Sequence, residues 1–260
     1  MQRFESKIAL VTGAAQGIGL AIARQLAHEG ATLVLWDIHA PGLSQQAMRL
    51  AEAGHVVHPT VVDVGSQASV HQALDEALTH FSRIDILVNA AGILHTGSLL
   101  DMSPQAWEDT FKVNTLGVFQ VSTAVAKQMR SQQSGCIVTV GSNAAATPRL
   151  QMGAYAASKA ASAQFTKCLG LELAPHGVRC NVVSPGSTDT PMQRALWDSA
   201  DSADRVIAGD LSQHRLGIPL QRIADADDIA QAVCFLASDS ARHITMHDLR
   251  VDGGATLDAR

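Results

Sequence analysis

The 260-residue sequence predicts a single α/β domain built on a doubly wound parallel sheet of about seven strands, with helices on both faces. Three observations carry this. Short apolar runs alternate with helix-period segments along nearly the whole chain, the pattern of a parallel sheet covered on both sides. The length is enough to bury a large core and is ordinary for one α/β domain. No repeat, low-complexity tract or linker divides residues 1–260.

The elements follow in order. Residues 7–12 read as a buried strand closed by Gly13, and residues 18–29 have helical periodicity that stops at Gly30. Strand 31–36 ends at Asp37, and helix 43–53 is again stopped by a glycine. Strand 55–62 ends at Asp63; helix 69–81 follows, with Ser66 as its cap. Strand 84–88 ends at Asn89. Residues 104–130 form one long helical region, capped by Ser103 with Pro104 at its first position. Strand 136–140, helix 152–173 and strand 178–183 come next, the last ending at Pro185-Gly186. Residues 187–220 are polar, with scattered Gly and Pro, and interrupt the alternation; an insertion of this length predicts a lid over a substrate. Helix 226–237 and strand 247–251 close the domain.

Composition narrows the function. Hydrophobic residues make up 47% and charged residues 17%, with a net charge of −5 and no Lys/Arg cluster, which argues against a nucleic-acid or membrane-surface role. The N-terminal segment lacks a cleavage-site pattern, and its apolar run at 8–11 is too short to span a bilayer or direct export. Cys136, Cys168, Cys180 and Cys234 form no C-x-x-C pair and each lies in an apolar segment, so buried reduced thiols and a cytoplasmic location are expected. The eleven histidines are scattered, without an H-x-x-x-H pair or a Cys/His cluster, and no metal site is expected.

Gly13, Asp37, Asp63, Asn89, Ser142 and Pro185 each stand just past the C-terminal end of a predicted strand. In an open parallel sheet those ends share one edge, where ligands bind. Gly13, Gly17 and Gly19 occupy the first strand-to-helix turn, where glycine lets backbone N–H groups approach a pyrophosphate at a helix N-terminus. Asp37 can accept hydrogen bonds from both ribose hydroxyls of an adenosine and would repel a 2′-phosphate, which favours NAD over NADP.

Tyr155, the only tyrosine of the chain, stands four residues before Lys159 in an alanine-rich segment, so a helix puts both on one face. Ser142 sits where a strand ends. A hydroxyl beside a phenol, with an ammonium one turn away, is a proton-handling site. The ammonium is expected to lower the tyrosine pKa, so that the phenol takes a proton from an alcohol near neutral pH.

T-G-A-A-Q-G-I-G (12–19), N-A-A-G (89–92), Asn114, Ser142, Tyr155-x-x-x-Lys159 and Pro185-Gly186, in this order and spacing, resemble the short-chain dehydrogenase/reductase family over nearly the whole chain. The resemblance implies a Rossmann-type fold and hydride transfer between a substrate carbinol and a nicotinamide. It implies catalytic roles for Asn114, Ser142, Tyr155 and Lys159, with Tyr155 as general base and Asn114 keeping a helix open behind Lys159. It implies cofactor contacts from Gly13, Gln16, Gly17, Ile18, Gly19, Asp37, Asp63, Val64, Asn89, Gly92, Tyr155, Lys159, Pro185, Gly186, Thr188 and Thr190. Asp63 serves equally as a helix-capping residue, and Asn89 as a brace within the sheet. Relatives pair through the long helix and the small-residue helix after it, which implies a homotetramer.

The stretches 89–94, 147–149, 178–190, 192–197, 216–220 and 251–257 further resemble members of the family that oxidise a cyclohexadiene diol carboxylate with NAD in catecholate siderophore biosynthesis. A small-molecule cyclic diol carboxylate requires a cation near the pocket. Arg149 is the first candidate, since arginine binds a carboxylate bidentately; Arg194 and His95 follow, with Met152 beside them. Two other readings share these residues: a dehydrogenase of another cyclic diol or hydroxy acid, and a non-catalytic NAD-binding sensor or scaffold, which would need no tetrad.

Overall fold

Seven strands stand among the residues described by the computed structural model, 2–199 and 201–257: β1 (Ile8–Thr12), β2 (Thr32–Asp37), β3 (Val57–Val61), β4 (Ile86–Asn89), β5 (Gly135–Val140), β6 (Val178–Pro185) and β7 (Asp248–Val251). They form one sheet in the order β3-β2-β1-β4-β5-β6-β7, and every neighbouring pair is parallel. The helices are α1 (Gly17–His28), α2 (Ala40–Glu52), α3 (Gln67–Phe81), α4 (Pro104–Phe111), α5 (Val118–Gln132), α6 (Gly153–Leu173), α7 (Pro191–Arg194), α8 (Ser202–Ala208) and α9 (Ala226–Ala237).

The strand runs are apolar at successive positions because both sheet faces are covered. In β1, Ala9 and Val11 face Ile22 and Leu26 of α1, Leu43 of α2 and Val233 of α9. Leu10 points the other way, onto the layer of Leu74 from α3, Val125 and Met129 from α5 and Leu169 from α6. Each fully buried Leu or Val contributes about 1.5–3 kcal/mol over an exposed one, so the two layers hold the sheet flanked on both sides.

The predicted caps are present. Ser66 accepts from the Ser69 N–H at 3.4 Å, and Ser103 from the Ala106 N–H at 3.2 Å with Pro104 in the first turn. The long helical region is not continuous: residues Lys112–Gly117 form a π-helical turn between α4 and α5. The Asn114 side chain is drawn there to Ile93, accepting from its N–H and donating to its carbonyl, both at 2.9 Å. Gly117 lets the same turn lie against Val64, whose Cγ2 would be 2.8 Å from an added Cβ.

Two other expectations shift. Strand 55–62 shortens to β3, which is the sheet edge and only partly buried. Cys136, Cys180 and Cys234 are buried, but Cys168 is exposed, since α6 carries apolar residues on its outward side as well. The insertion 187–220, whose residue 200 lies outside the described residues, contributes α7, α8 and the 3-10 turn Leu211–Gln213. No described helix is long and apolar enough to cross a membrane.

Candidate active site

Because all strands are parallel, their C-terminal ends share one edge. There a cleft of about 500 Å³ opens across the point where the strand order reverses between β1 and β4. Thr12 Oγ1, at the end of β1, accepts from the N–H groups of Ala90 and Ala91, both at 3.1 Å, and so ties the first turn to the loop after β4. That closeness demands glycine. Gly13 has φ +68°, and a Cβ on it would meet the Ala91 nitrogen at 2.7 Å. A Cβ on Gly19 would stand 2.1 Å from the Gly13 carbonyl oxygen, so α1 can start against the turn only with glycine there. Gly13, Gln16, Gly17, Ile18 and Gly19 all line the cleft, with the N-terminus of α1 directed to it. The uncovered backbone donors of a helix start suit an anionic pyrophosphate.

The Asp37 carboxylate is fixed at the end of β2 by the Ala15 N–H on Oδ2 at 2.9 Å and the His39 N–H on Oδ1 at 2.8 Å, and it lines the cleft. Asp63 and Val64 also line it; Asp63 Oδ1 accepts from the Gly65 N–H at 2.8 Å, and Lys112 Nζ lies 3.7 Å from Oδ2. Asp63 therefore shapes its own turn and still faces the cleft. Gly92, Pro185, Gly186, Thr188 and Thr190 are cleft residues, and Thr190 Oγ1 also caps α7 by accepting from the Gln193 N–H at 3.2 Å. Asn89 is placed differently. Its Nδ2 donates to Ser122 Oγ at 2.8 Å and Thr139 Oγ1 at 3.4 Å; it is buried in the sheet and does not line the cleft, which makes it the brace.

Ser142, Tyr155 and Lys159 converge on the cleft, Ser142 from the loop after β5 and the other two from α6. Lys159 is buried, its Nζ donating to the Val140 carbonyl at 2.8 Å and lying 5.8 Å from the Tyr155 ring centre. Asn114 stands behind it, wholly buried, with Nδ2 also donating to Ser158 Oγ at 3.0 Å. Gly92 closes this group: a Cβ there would be 3.3 Å from Asn114 Oδ1 and 3.4 Å from Lys159 Nζ.

The electrostatics correct one expectation. Burial pushes the Tyr155 phenol above its ordinary pKa, and the hydrogen bond with Ser142 opposes this. Burial also lowers Lys159 to about 8. The ammonium is directed at the Val140 carbonyl and is itself expensive to hold inside the protein, so at this pair burial outweighs the mutual support of the two charges.

Of the four residues expected at the substrate, Arg149 and Met152 line the cleft. Arg194 and His95 do not. Arg194 is paired with Asp189 through contacts of 2.5 and 2.6 Å, and His95 Nδ1 is 3.1 Å from Thr110 Oγ1. A second cation, unforeseen from the sequence, takes their place. Arg215 lines the cleft, its Nη2 donating to Met152 Sδ at 3.7 Å. Desolvation first, then repulsion from Arg215, lowers the Arg149 pKa, partly offset by Asp252. Among the described residues neither arginine has a hydrogen bond or ion pair with a carboxylate. A polar insertion of this length, carrying Arg194, Arg205 and Arg215, was the only sequence signal for it.

Known proteins agree with this geometry. A family model described as enoyl-(acyl carrier protein) reductase matches residues 13–256. The 2,3-dihydro-2,3-dihydroxybenzoate dehydrogenase of Bacillus subtilis (strain 168) is 50% identical over 253 residues, covering 97% of this chain and 97% of that protein. The enzyme of the same name from Escherichia coli (strain K12) is 46% identical over 256 residues, covering 98% and 99%. Among solved structures, a gluconate 5-dehydrogenase from Burkholderia cenocepacia J2315, in complex with NADP and tartrate, superimposes with a TM-score of 0.91 at 34% identity, covering 98% of each chain. With the glycine turn, the carboxylate after β2 and the Ser-Tyr-Lys convergence at one sheet edge, this chain belongs to the short-chain dehydrogenase/reductase family.

Proposed function

We propose that the chain oxidises 2,3-dihydro-2,3-dihydroxybenzoate to 2,3-dihydroxybenzoate with NAD, in catecholate siderophore biosynthesis. The observation that carries the substrate is the pair of cleft-lining guanidiniums, Arg149 and Arg215, neither hydrogen-bonded nor ion-paired to a carboxylate among the described residues. Relatives at 46–50% identity bear the name of this activity.

Gly13, Gln16, Gly17, Ile18 and Gly19 would hold the pyrophosphate, Asp37 the adenosine ribose, and Thr188 and Thr190 the nicotinamide side. Bound NAD supplies the hydride acceptor. Tyr155 takes the proton of the carbinol hydroxyl as general base, and Ser142 holds the same oxygen by hydrogen bond. Lys159 places positive charge beneath them, and Asn114 fixes the backbone on its far side. Arg149 and Arg215 grip the substrate carboxylate and orient the ring. The immediate product is a keto tautomer of a catechol, and its aromatisation makes oxidation downhill. Asp37 gives the preference for NAD by disfavouring a 2′-phosphate.

The protein acts in the cytoplasm as a homotetramer. Exposed apolar side chains on α5 and α6 and the turns beside them, including Leu116, Phe119 and Leu171, support a subunit interface there. Light-scattering mass measurement checks it, and a monomer would reject it.

The assay is direct. Purified protein with NAD and the dihydrodiol should form NADH and the catechol in equal amounts. No NADH, with turnover of an alcohol lacking a carboxylate, would reject the substrate. Arg149→Ala and Arg215→Ala should each raise KM about tenfold or more with a smaller effect on kcat, as loss of a charge-assisted contact does.

A further inference from the structure

Among the described residues, one group of side chains outside the cleft has the chemistry of a metal site. We propose that His58, Glu76 and His80 bind a borderline divalent transition metal ion such as zinc, clipping the edge strand β3 to helix α3. His58 comes from β3, and Glu76 and His80 are one turn apart on α3. Their ligand atoms all lie within 4.8 Å of one another, and His58 Nε2 is 3.3 Å from Glu76 Oε1.

The spacing is informative. Ligands about 2.0–2.1 Å from a tetrahedral zinc ion stand roughly 3.4 Å apart. His58 and Glu76 already have that separation. His80 is exposed, and its ring can close the remaining gap by rotating about its side-chain bonds. His58 is half-buried and held by an edge contact with the Phe81 ring, 5.9 Å between centres, so one ligand is oriented in advance. Two imidazoles and one carboxylate suit zinc, nickel or copper and not the all-oxygen preference of calcium or magnesium. Water would complete the coordination. None of the three residues lines the cleft, so the ion's role is structural. It would tie down a strand that, among the described residues, pairs on one side only, with β2. The trio escapes a spacing search because His58 lies 18 residues before Glu76 and only the strand-to-helix return joins them.

The test uses the full chain, stripped with EDTA and titrated calorimetrically with zinc chloride in a non-coordinating buffer. One zinc ion per chain should bind with a Kd in the micromolar range. His80→Ala and Glu76→Gln should each weaken it at least tenfold, and zinc should raise the melting temperature of the parent by a few degrees but not that of His80→Ala. Both positions are on the surface, so the variants fold, and NADH formation by the metal-free proteins should match the parent. Cobalt(II) added in place of zinc should give the visible absorption bands of a low-coordinate site, lost in His80→Ala. Absence of binding below about 100 μM, or binding undiminished in both variants because the ion sits on others of the eleven histidines, overturns the proposal.

Discussion

Lys159 offers the sharpest quantitative test of the site. Burial lowers its pKa from 10.5 to about 8, and at about 1.36 kcal/mol per unit this makes the folded protein about 3 kcal/mol less stable when the amine is charged. The sign follows from proton counting. Below pH 8 both states hold the proton, and the full cost of the buried ammonium is present. Between about pH 8 and 10.5 the unfolded chain holds a proton that the folded one has released, so stability from this group rises with pH. Lys159→Met removes the titration. It also leaves the Val140 carbonyl without its 2.8 Å donor, at a cost of about 1–3 kcal/mol, but that loss fixes the offset between the two proteins and not its slope. The stability of Lys159→Met minus that of the parent should therefore fall by about 2 kcal/mol from pH 7 to 9.5. Urea unfolding of both proteins, at one protein concentration across that range, measures it; contributions common to both cancel. A difference that stays flat with pH would show that the amine is not desolvated, and the electrostatic picture of the site would be wrong.

Other perturbations separate the parts of the cleft. Tyr155→Phe should bind NAD with nearly unchanged affinity and lose turnover by about 10²–10⁴-fold, measured by fluorescence titration and NADH formation; near-parental rates would remove Tyr155 from proton transfer. Asp37→Asn keeps the side-chain oxygen that meets the Ala15 N–H but removes the charge, so the ratio of kcat/KM for NADP to that for NAD should rise at least tenfold. Gly19→Ala places a Cβ 2.1 Å from the Gly13 carbonyl oxygen, so the turn must open; a loss of at least 2 kcal/mol in unfolding free energy (roughly the upper range of overpacking costs), or loss of NAD binding, is expected in denaturant and binding titrations.

How far the sequence reached depended on the range of the interaction. The sheet was legible because periodicity and strand-end residues are local, and the Ser66 and Ser103 caps for the same reason. In the glycine turn the constraint on Gly19 is local, the Gly13 carbonyl six residues back, whereas that on Gly13 is its approach to Ala91 and follows only from the fold. Asn89 could be read two ways: its position at the end of β4 points to the cleft, yet in register it stands between Thr12 and Thr139, and its amide bonds within the sheet. Helical spacing put Tyr155 and Lys159 on one face but said nothing about how deeply α6 would bury the amine, which decides the sign of the pKa shifts. Arg194 was captured by Asp189, five residues away, a pairing the sequence allowed but did not require. Arg215 depended on a fold-back of the insertion. Asp210 and Arg215 form an antiparallel bridge, and Gly209 passes so near Gly217 that a Cβ would meet its nitrogen at 2.4 Å. No local pattern announces that return.

The polarity of the cleft joins fold to chemistry. Asp37 and Asp63 stand at the ends of β2 and β3, on one side of the strand-order reversal. Arg149 follows β5 and Arg215 follows β6, on the other. The acidic end suits hydroxyl donors and would disfavour an extra phosphate; at the basic end Asp252 acts on Arg149 only at a distance, and neither arginine is hydrogen-bonded or ion-paired to a carboxylate among the described residues. If the substrate carboxylate sits at the basic end, as proposed, the dinucleotide and the diol would meet in the middle of the cleft, nicotinamide against carbinol. There sit the phenol, the serine hydroxyl and the amine, whose pKa burial lowers to about 8. A carboxylate seated on Arg149 and Arg215, as proposed, would relieve their mutual repulsion, and the electrostatic free energy released would be available only to a substrate that carries the anion. On the proposed reading, substrate selection and alignment for proton transfer would be two consequences of one charge distribution, set by which strands end on which side of the reversal.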